Sequence, residues 1–288
     1  MKVIVDAFAK INLLLDIVGK LPNGYHSLRM IMQSVDLCDT VTVERGEGGI
    51  VCNHPDVPTD ERNIAWKAVV AFEKATGLDC SDTHITIEKR IPAAAGLAGG
   101  SADGAAVLAA LNRLHGANLS ADALCRIGAS VGADIPFCLT GGTRLALNIG
   151  DVLAPLPPLS GVTFVLAKPD CTVSTKEAYA ACDSGEQVNH ADLTQILFDA
   201  AKGNYERIFR RTCNTFEQFI EVADRVPIKS VLRRHGSVFS MMSGSGPTVY
   251  GVFRNRENAE QCAEELRTFV PDVHVCAPVG AGLHLRTH

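Results

Sequence analysis

Lys10 stands in FAKINLLLDI (8–17), with apolar residues on both sides. An ammonium in such a stretch is costly to bury without a partner. Strand alternation puts Phe8, Lys10 and Asn12 on one face and Ala9, Ile11 and Leu13 on the other. Two readings follow: an edge-strand lysine that snorkels to solvent, or, with Asn12, part of a polar pocket. Asp134, in GADIPF (132–137), reads either as an N-cap ahead of Pro136 or as a base or charge anchor beside Lys10. The stretch IPAAAGLAGGSADGAAVLAAL (91–111) joins small residues to a strongly helical run. Gly96, Gly99 and Gly100 let backbone N–H groups approach a ligand. Ser101 falls at an expected N-cap and Asp103 in the first turn, and a helix start favours an anion. The other reading is a tight strand-to-helix turn with a serine cap. No lysine precedes the serine, and the pattern is neither a Walker A loop nor G-x-G-x-x-G. If a phosphate binds here, its positive counter-charge comes from elsewhere in the chain. NGYH (23–26) offers a phenol ring and an imidazole on a tight turn, suited to a flat base or simply exposed. SGSGPTVYGVF (243–253) is a second glycine loop, before a strand, and reads alone as an ordinary turn.

These residues need elements to hold them. Residues 2–18 read as strand, and Asn23-Gly24 is a strong hairpin signal before a second strand over 28–45 and a Gly-rich turn at 46–49. A helix is predicted over 63–76, stopped by Gly77, then a strand over 83–89. Helices follow at 101–115 and 120–131, the latter closed by Gly132. LAPLPPLSG (153–161) is the best linker. Beyond it come a strand at 162–169, helices near 175–182, 191–201, 204–223 and 228–235, a strand–turn–strand at 237–253, a helix at 256–269 and a strand near 273–277. The whole reads as α+β in two lobes joined near residue 157.

The chain has 288 residues, 47% apolar and 20% charged, which suits a globular protein with a proper core. A net charge of −5 argues against a broad nucleic-acid footprint. No apolar run approaches the roughly 18–20 residues of a membrane span. The apolar N-terminus is interrupted by Asp6, Lys10, Asn12 and Asp16, so it reads as strand and not as a signal peptide. Ten scattered cysteines, without a C-x-x-C or a zinc spacing, read as small buried hydrophobes in a reducing cytoplasm.

AKINLxL, NGYHxLxxxMQSVDLCDTV, PAAAGLAGGSAD, GADIPF and SGSGPTVYGVF occur in the order of the GHMP kinase superfamily, and the resemblance runs from residue 5 to about 280. The NGYH segment resembles the branch that takes a cytidine substrate, not the homoserine, mevalonate or galactose kinases. The resemblance implies an N-terminal domain (1–157) like domain 2 of ribosomal protein S5 and a C-terminal ferredoxin-like α/β domain (158–288), with the active site between them. It implies that ATP, with Mg²⁺, phosphorylates the 2-hydroxyl of a cytidine-diphosphate-linked methylerythritol, in a monomer or homodimer without nucleic-acid or membrane partners. The catalytic pair would be Lys10 and Asp134: Asp134 takes the hydroxyl proton, and Lys10 keeps Asp134 ionised and supplies the charge the loop lacks. The triphosphate loop would comprise Ala94, Ala95, Gly96, Leu97, Ala98, Gly99, Gly100, Ser101, Ala102, Asp103 and Gly104, with Ser101 reaching the magnesium of Mg-ATP. Asn63 would lie near the adenine. Asn12 would contact the methylerythritol or its phosphate. Tyr25 and His26 would recognise the cytidine, and in VSTKEAY (173–179), with Ser174 and Thr175, Tyr179 would stack opposite Tyr25. The family's loop is commonly P-x-G-G-G-L-G-G-G-S-S. Here alanines replace some of those glycines and Ala102 replaces the second serine, while the GL-x-GGS core remains.

Overall fold

The computed structural model describes residues 2–22, 24–185 and 188–286. β1 (Lys2–Lys20) and β2 (His26–Arg45) form a long antiparallel ribbon, paired from Lys2 opposite Glu44 to Lys20 opposite His26 with three register shifts between. Asn23 of the hairpin signal lies outside the described residues. Next come β3 (Gly49–Cys52), α1 (Ile64–Thr76), β4 (Thr83–Glu88), α2 (Gly99–Leu114), α3 (Ala121–Ala129), α4 (Ile135–Thr140), β5 (Thr143–Asn148) and β6 (Val152–Pro155). The apolar alternation of β1 is obeyed: Val3, Val5, Ala7, Ala9, Ile11 and Leu13 are buried in one cluster with α2's Val107, Leu108 and Leu111. The residues between them carry the polar groups.

The second half runs β7 (Thr163–Lys168), α5 (Thr175–Ser184), α6 (Leu193–Ala201), α7 (Tyr205–Phe209), α8 (Thr215–Phe219), α9 (Arg225–Arg234), β8 (Phe239–Met242), β9 (Val249–Phe253), α10 (Arg256–Leu266), β10 (Asp272–Cys276) and β11 (Leu283–Arg286). The strand order β10-β7-β9-β8, all antiparallel, with α9 and α10 between strands in the chain, is ferredoxin-like. Ile228 and Leu232 of α9 and Cys262 and Leu266 of α10 bury against Val165 and Val249 of that sheet.

Four differences from the sequence reading stand out. The helix predicted over 204–223 is two short helices, because Asn214 leaves the helical path: its side chain accepts from Phe216 N and donates to the carbonyls of Met242 and Gly244. The linker at 153–161 opens as β6, paired with β5. β3 and β5 carry no signal in the sequence reading, and α4 enters it only as the helix or turn that Asp134 would cap. β11 returns to pair with β1, so the first sheet draws its edge from the chain's last residues. That return is a close crossing of backbones. A Cβ on Gly141 (φ +60°) would sit 1.8 Å from the nitrogen of Gly282, so glycine is required there.

Candidate active site

β1 carries Lys10 and Asn12 between two register shifts, one at Phe8/Ala9 and one at Asn12/Leu14. Lys10 is buried, and its Nζ donates to Asn12 Oδ1 at 2.8 Å and lies 3.6 Å from Asp134 Oδ2. The snorkelling alternative therefore falls. Asp134 occupies the N-cap position of α4 but makes no side-chain cap bond, so the cap alternative falls with it. Its carboxylate turns to the lysine and stays about one-third exposed, at 35%.

The small-residue loop lies over this pair. The backbone N–H of Lys10 donates to Leu97 O at 3.1 Å. α2 begins at Gly99, with Ala98 at the N-cap position in left-handed geometry (φ +58°) and no side-chain cap. The first-turn amides are thus left for a ligand at the positive end of a 16-residue helix. Ser101 sits inside the first turn and not at the N-cap, a correction that leaves its hydroxyl uncommitted to capping; it lines the cleft. Leu97 and Ala102 bury their side chains in the core, and Gly104 presses on Ile64 and Ile135, so these three support the loop from behind. Ala94, Ala95, Gly96, Gly99 and Gly100 line the cleft.

Asp103, which the resemblance places in the triphosphate loop, lines the cleft at its edge. It is 2% exposed, and its Oδ2 accepts from Lys89 Nζ at 2.8 Å. Lys89 also donates to Asp39 at 2.5 Å, and Asp39 accepts the amides of Arg90 and Ile91. Burial pulls the Lys89 ammonium down, but Asp103 and Asp39 outweigh it and hold its pKa above the ordinary value. Burial, only partly offset by Lys89, pushes the Asp103 carboxyl up to about 7. Two carboxylates absorb this one ammonium, so its charge is largely spent inside the protein. Sequence reasoning missed Lys89 because the sign of its environment depends on Asp39, fifty residues away in β2.

The second glycine loop is more than an ordinary turn. Ser243 Oγ donates to Gly96 O at 2.9 Å and accepts from Asn12 N at 3.3 Å. One hydroxyl thereby joins the phosphate-type loop to the strand that carries Lys10. A Cβ on Gly96 (φ +74°) would lie 2.2 Å from Ser243 O. Tyr250 Oη donates to Asn12 O at 2.9 Å from β9 of the second sheet.

Asn63 caps α1. Its Oδ1 accepts from Ala65 N and its Nδ2 donates to Pro58 O, so both ends of the amide serve the backbone at the cleft rim. Ser174 caps α5 through a 3.4 Å bond from Glu177 N and does not line the cleft, whereas Thr175 does and shares a 3.0 Å hydrogen bond with Ser245 Oγ. Tyr25 lines the cleft and is 61% exposed. Tyr179 lines it too, and His26 stacks on Tyr179 at 4.3 Å and 17°. His26 Nε2 is taken by Asp183 Oδ1 at 2.6 Å. All these walls enclose one cleft of about 1330 Å³, with Lys10 and Asp134 inside it, room for two nucleotide-sized ligands. Among the described residues no cluster of three His, Cys, Asp or Glu could hold a metal ion, and no helix is long and apolar enough to cross a membrane.

Comparison with known proteins follows the same lines. Residues 63–142 match the GHMP kinases N terminal domain, and residues 220–272 the GHMP kinases C terminal model. The chain is 41% identical over 275 residues to the 4-diphosphocytidyl-2-C-methyl-D-erythritol kinase of Clostridium botulinum, covering 94% of this chain and 98% of that one. It is 45% identical over 288 residues to the enzyme of that name from Gloeobacter violaceus, covering 96% and 94%. A crystal structure of 4-(cytidine 5'-diphospho)-2C-methyl-D-erythritol kinase superposes with a TM-score of 0.78 at 30% identity, over 98% of this chain and all of that one. Homoserine kinase from Cytophaga hutchinsonii superposes with 0.77 at 18% identity, over 99% and 97%, which is a likeness of fold alone. The chain belongs to the 4-diphosphocytidyl-2-C-methyl-D-erythritol kinase family, a branch of the GHMP kinases.

Proposed function

We propose that this chain transfers the γ-phosphoryl group of ATP to the 2-hydroxyl of 4-(cytidine 5'-diphospho)-2-C-methyl-D-erythritol, giving the 2-phosphate and ADP. The observation that carries the mechanism is the meeting of Lys10 and Asp134 at 3.6 Å inside the cleft. Asp134 accepts the proton of the attacking hydroxyl, late, as suits a loose transition state. Lys10, steered by Asn12, orients that hydroxyl and offsets developing charge. The amides at the start of α2 receive the phosphates. The donor set fits a magnesium ion that enters on the nucleotide: the Ser101 hydroxyl lines the cleft at the start of α2, and among the described residues no group of three carboxylate, imidazole or thiol side chains could hold the ion, so phosphates and water would supply the remaining ligands and the ion would neutralise phosphate charge. Tyr25 and Tyr179 serve the cytosine end. We further assign residues 1–157 and 158–288 as the two functional units, the first completed by β11 from the end of the chain.

The test is a substrate panel followed by ADP release. Turnover of the cytidine compound without turnover of homoserine or mevalonate is the expected result. Phosphorylation of either of those, with none of the cytidine compound, would overturn the reading.

A further inference from the structure

Lys20 and His26 face each other across the end of the β1–β2 ribbon. Asp183, at the end of α5, reaches both. Lys20 Nζ donates to its Oδ2 and His26 Nε2 meets its Oδ1, each at 2.6 Å. A carboxylate only accepts, so Nε2 carries the hydrogen and the tautomer of His26 is set. The edge of the imidazole is thereby tied to α5, and its face lies against Tyr179. Phe216 meets Tyr179 nearly at a right angle, 4.9 Å between centroids and 77° between planes. Tyr179 and Phe216 line the cleft, and His26 packs its ring on that of Tyr179. The two bonds from His26 and Lys20 hold the Asp183 carboxyl below the usual carboxylate range, which keeps it an acceptor.

We propose that Asp183 is a positioning residue of the base subsite: through His26 it fixes the plane of Tyr179, so that the nucleobase meets a pre-set aromatic wall. The inference deepens the function proposed above and rests on it. His26 braces the Tyr179 ring by stacking on it. A free tyrosine ring would have to be ordered when the ligand arrives, and a pre-ordered one would not. The half-exposed Lys20 bond to the same carboxylate is an ordinary surface pair and adds little.

The experiment measures cytidine 5'-diphosphate affinity by calorimetry, with steady-state KM values alongside, on the full chain. Asp183→Ala is expected to weaken cytidine diphosphate and raise KM for the cytidine substrate about three- to tenfold, the worth of one ordered side chain, with KM for ATP and kcat within about twofold. Asp183→Asn, whose amide oxygen still accepts from Nε2–H, should recover most of the affinity. Lys20→Met should match wild type. Unchanged or tighter cytidine diphosphate binding in Asp183→Ala would overturn the inference, because the Tyr179 ring would then be parked and not pre-set. So would an equal loss in Asp183→Asn accompanied by a raised KM for ATP, which marks general structural damage. Wild-type protein that binds no cytidine diphosphate would overturn the function proposed above, and this inference with it.

Discussion

Replacing Asp134 by asparagine separates a chemical role from a structural one. Two unit charges at the observed 3.6 Å interact by about 5 kcal/mol at an effective dielectric of 20 and by about 1 kcal/mol in water. Asp134 is one-third exposed, so the lower figure governs. Its carboxylate makes no cap bond to α4, so the ~0.5–2 kcal/mol lost with a true cap is not added. The expected stability cost is therefore about 1 kcal/mol, read from urea unfolding, and all of it is Lys10 losing its partner. In a Lys10→Met background the same substitution should cost close to nothing, which a double-mutant cycle measures. Turnover should fall far more, by about 10²–10⁴ in kcat, the usual worth of a positioned general base. Coupled ADP release provides the assay. A kcat within about tenfold of wild type would refute the assignment of Asp134 as base, whatever the stability result.

Three further outcomes are expected. Lys89→Met leaves Asp39 and Asp103 facing each other without their ammonium and should cost about 3–5 kcal/mol in urea unfolding; a loss under about 1 kcal/mol would mean the triad is solvated in solution. Gly96→Ala drives a Cβ to 2.2 Å from Ser243 O at a φ of +74°, so ATP affinity should drop at least about tenfold, and nucleotide binding at wild-type strength would contradict the interlocked loops. The raised Asp103 carboxyl means the native state holds a proton more tightly than the unfolded chain. Its stabilising contribution is full below about pH 4 and is lost as pH rises through about 7, so Asp103→Asn should flatten the fall in unfolding free energy across that window, and parallel curves for the two proteins would exclude the linkage.

What the sequence determined by itself was local. The alternation of Phe8, Lys10 and Asn12 against Ala9, Ile11 and Leu13 set β1, since a strand's two faces are written in consecutive residues. The glycines before a helical run suggested an anion site beside the reading of a plain turn, because only backbone geometry is needed to make one. The order of the motifs carried the family resemblance. Tertiary structure decided which reading of each ambiguous residue holds. Asp134 could cap or pair, and the choice depended on whether the strand bearing Lys10 came within reach of α4. Lys89 looks like any strand-end lysine until Asp39 and Asp103 close on it from two other elements. Ser243 sits in a turn of no special character until it bonds to Gly96 and Asn12, and β11 is four residues with no signal beyond the edge of β1 that receives them. In each case the missing information was a distance across the fold. Local propensity acts within a few residues, whereas the charge partners, hydrogen-bond acceptors and sheet edges that assign these residues their roles come from far along the chain.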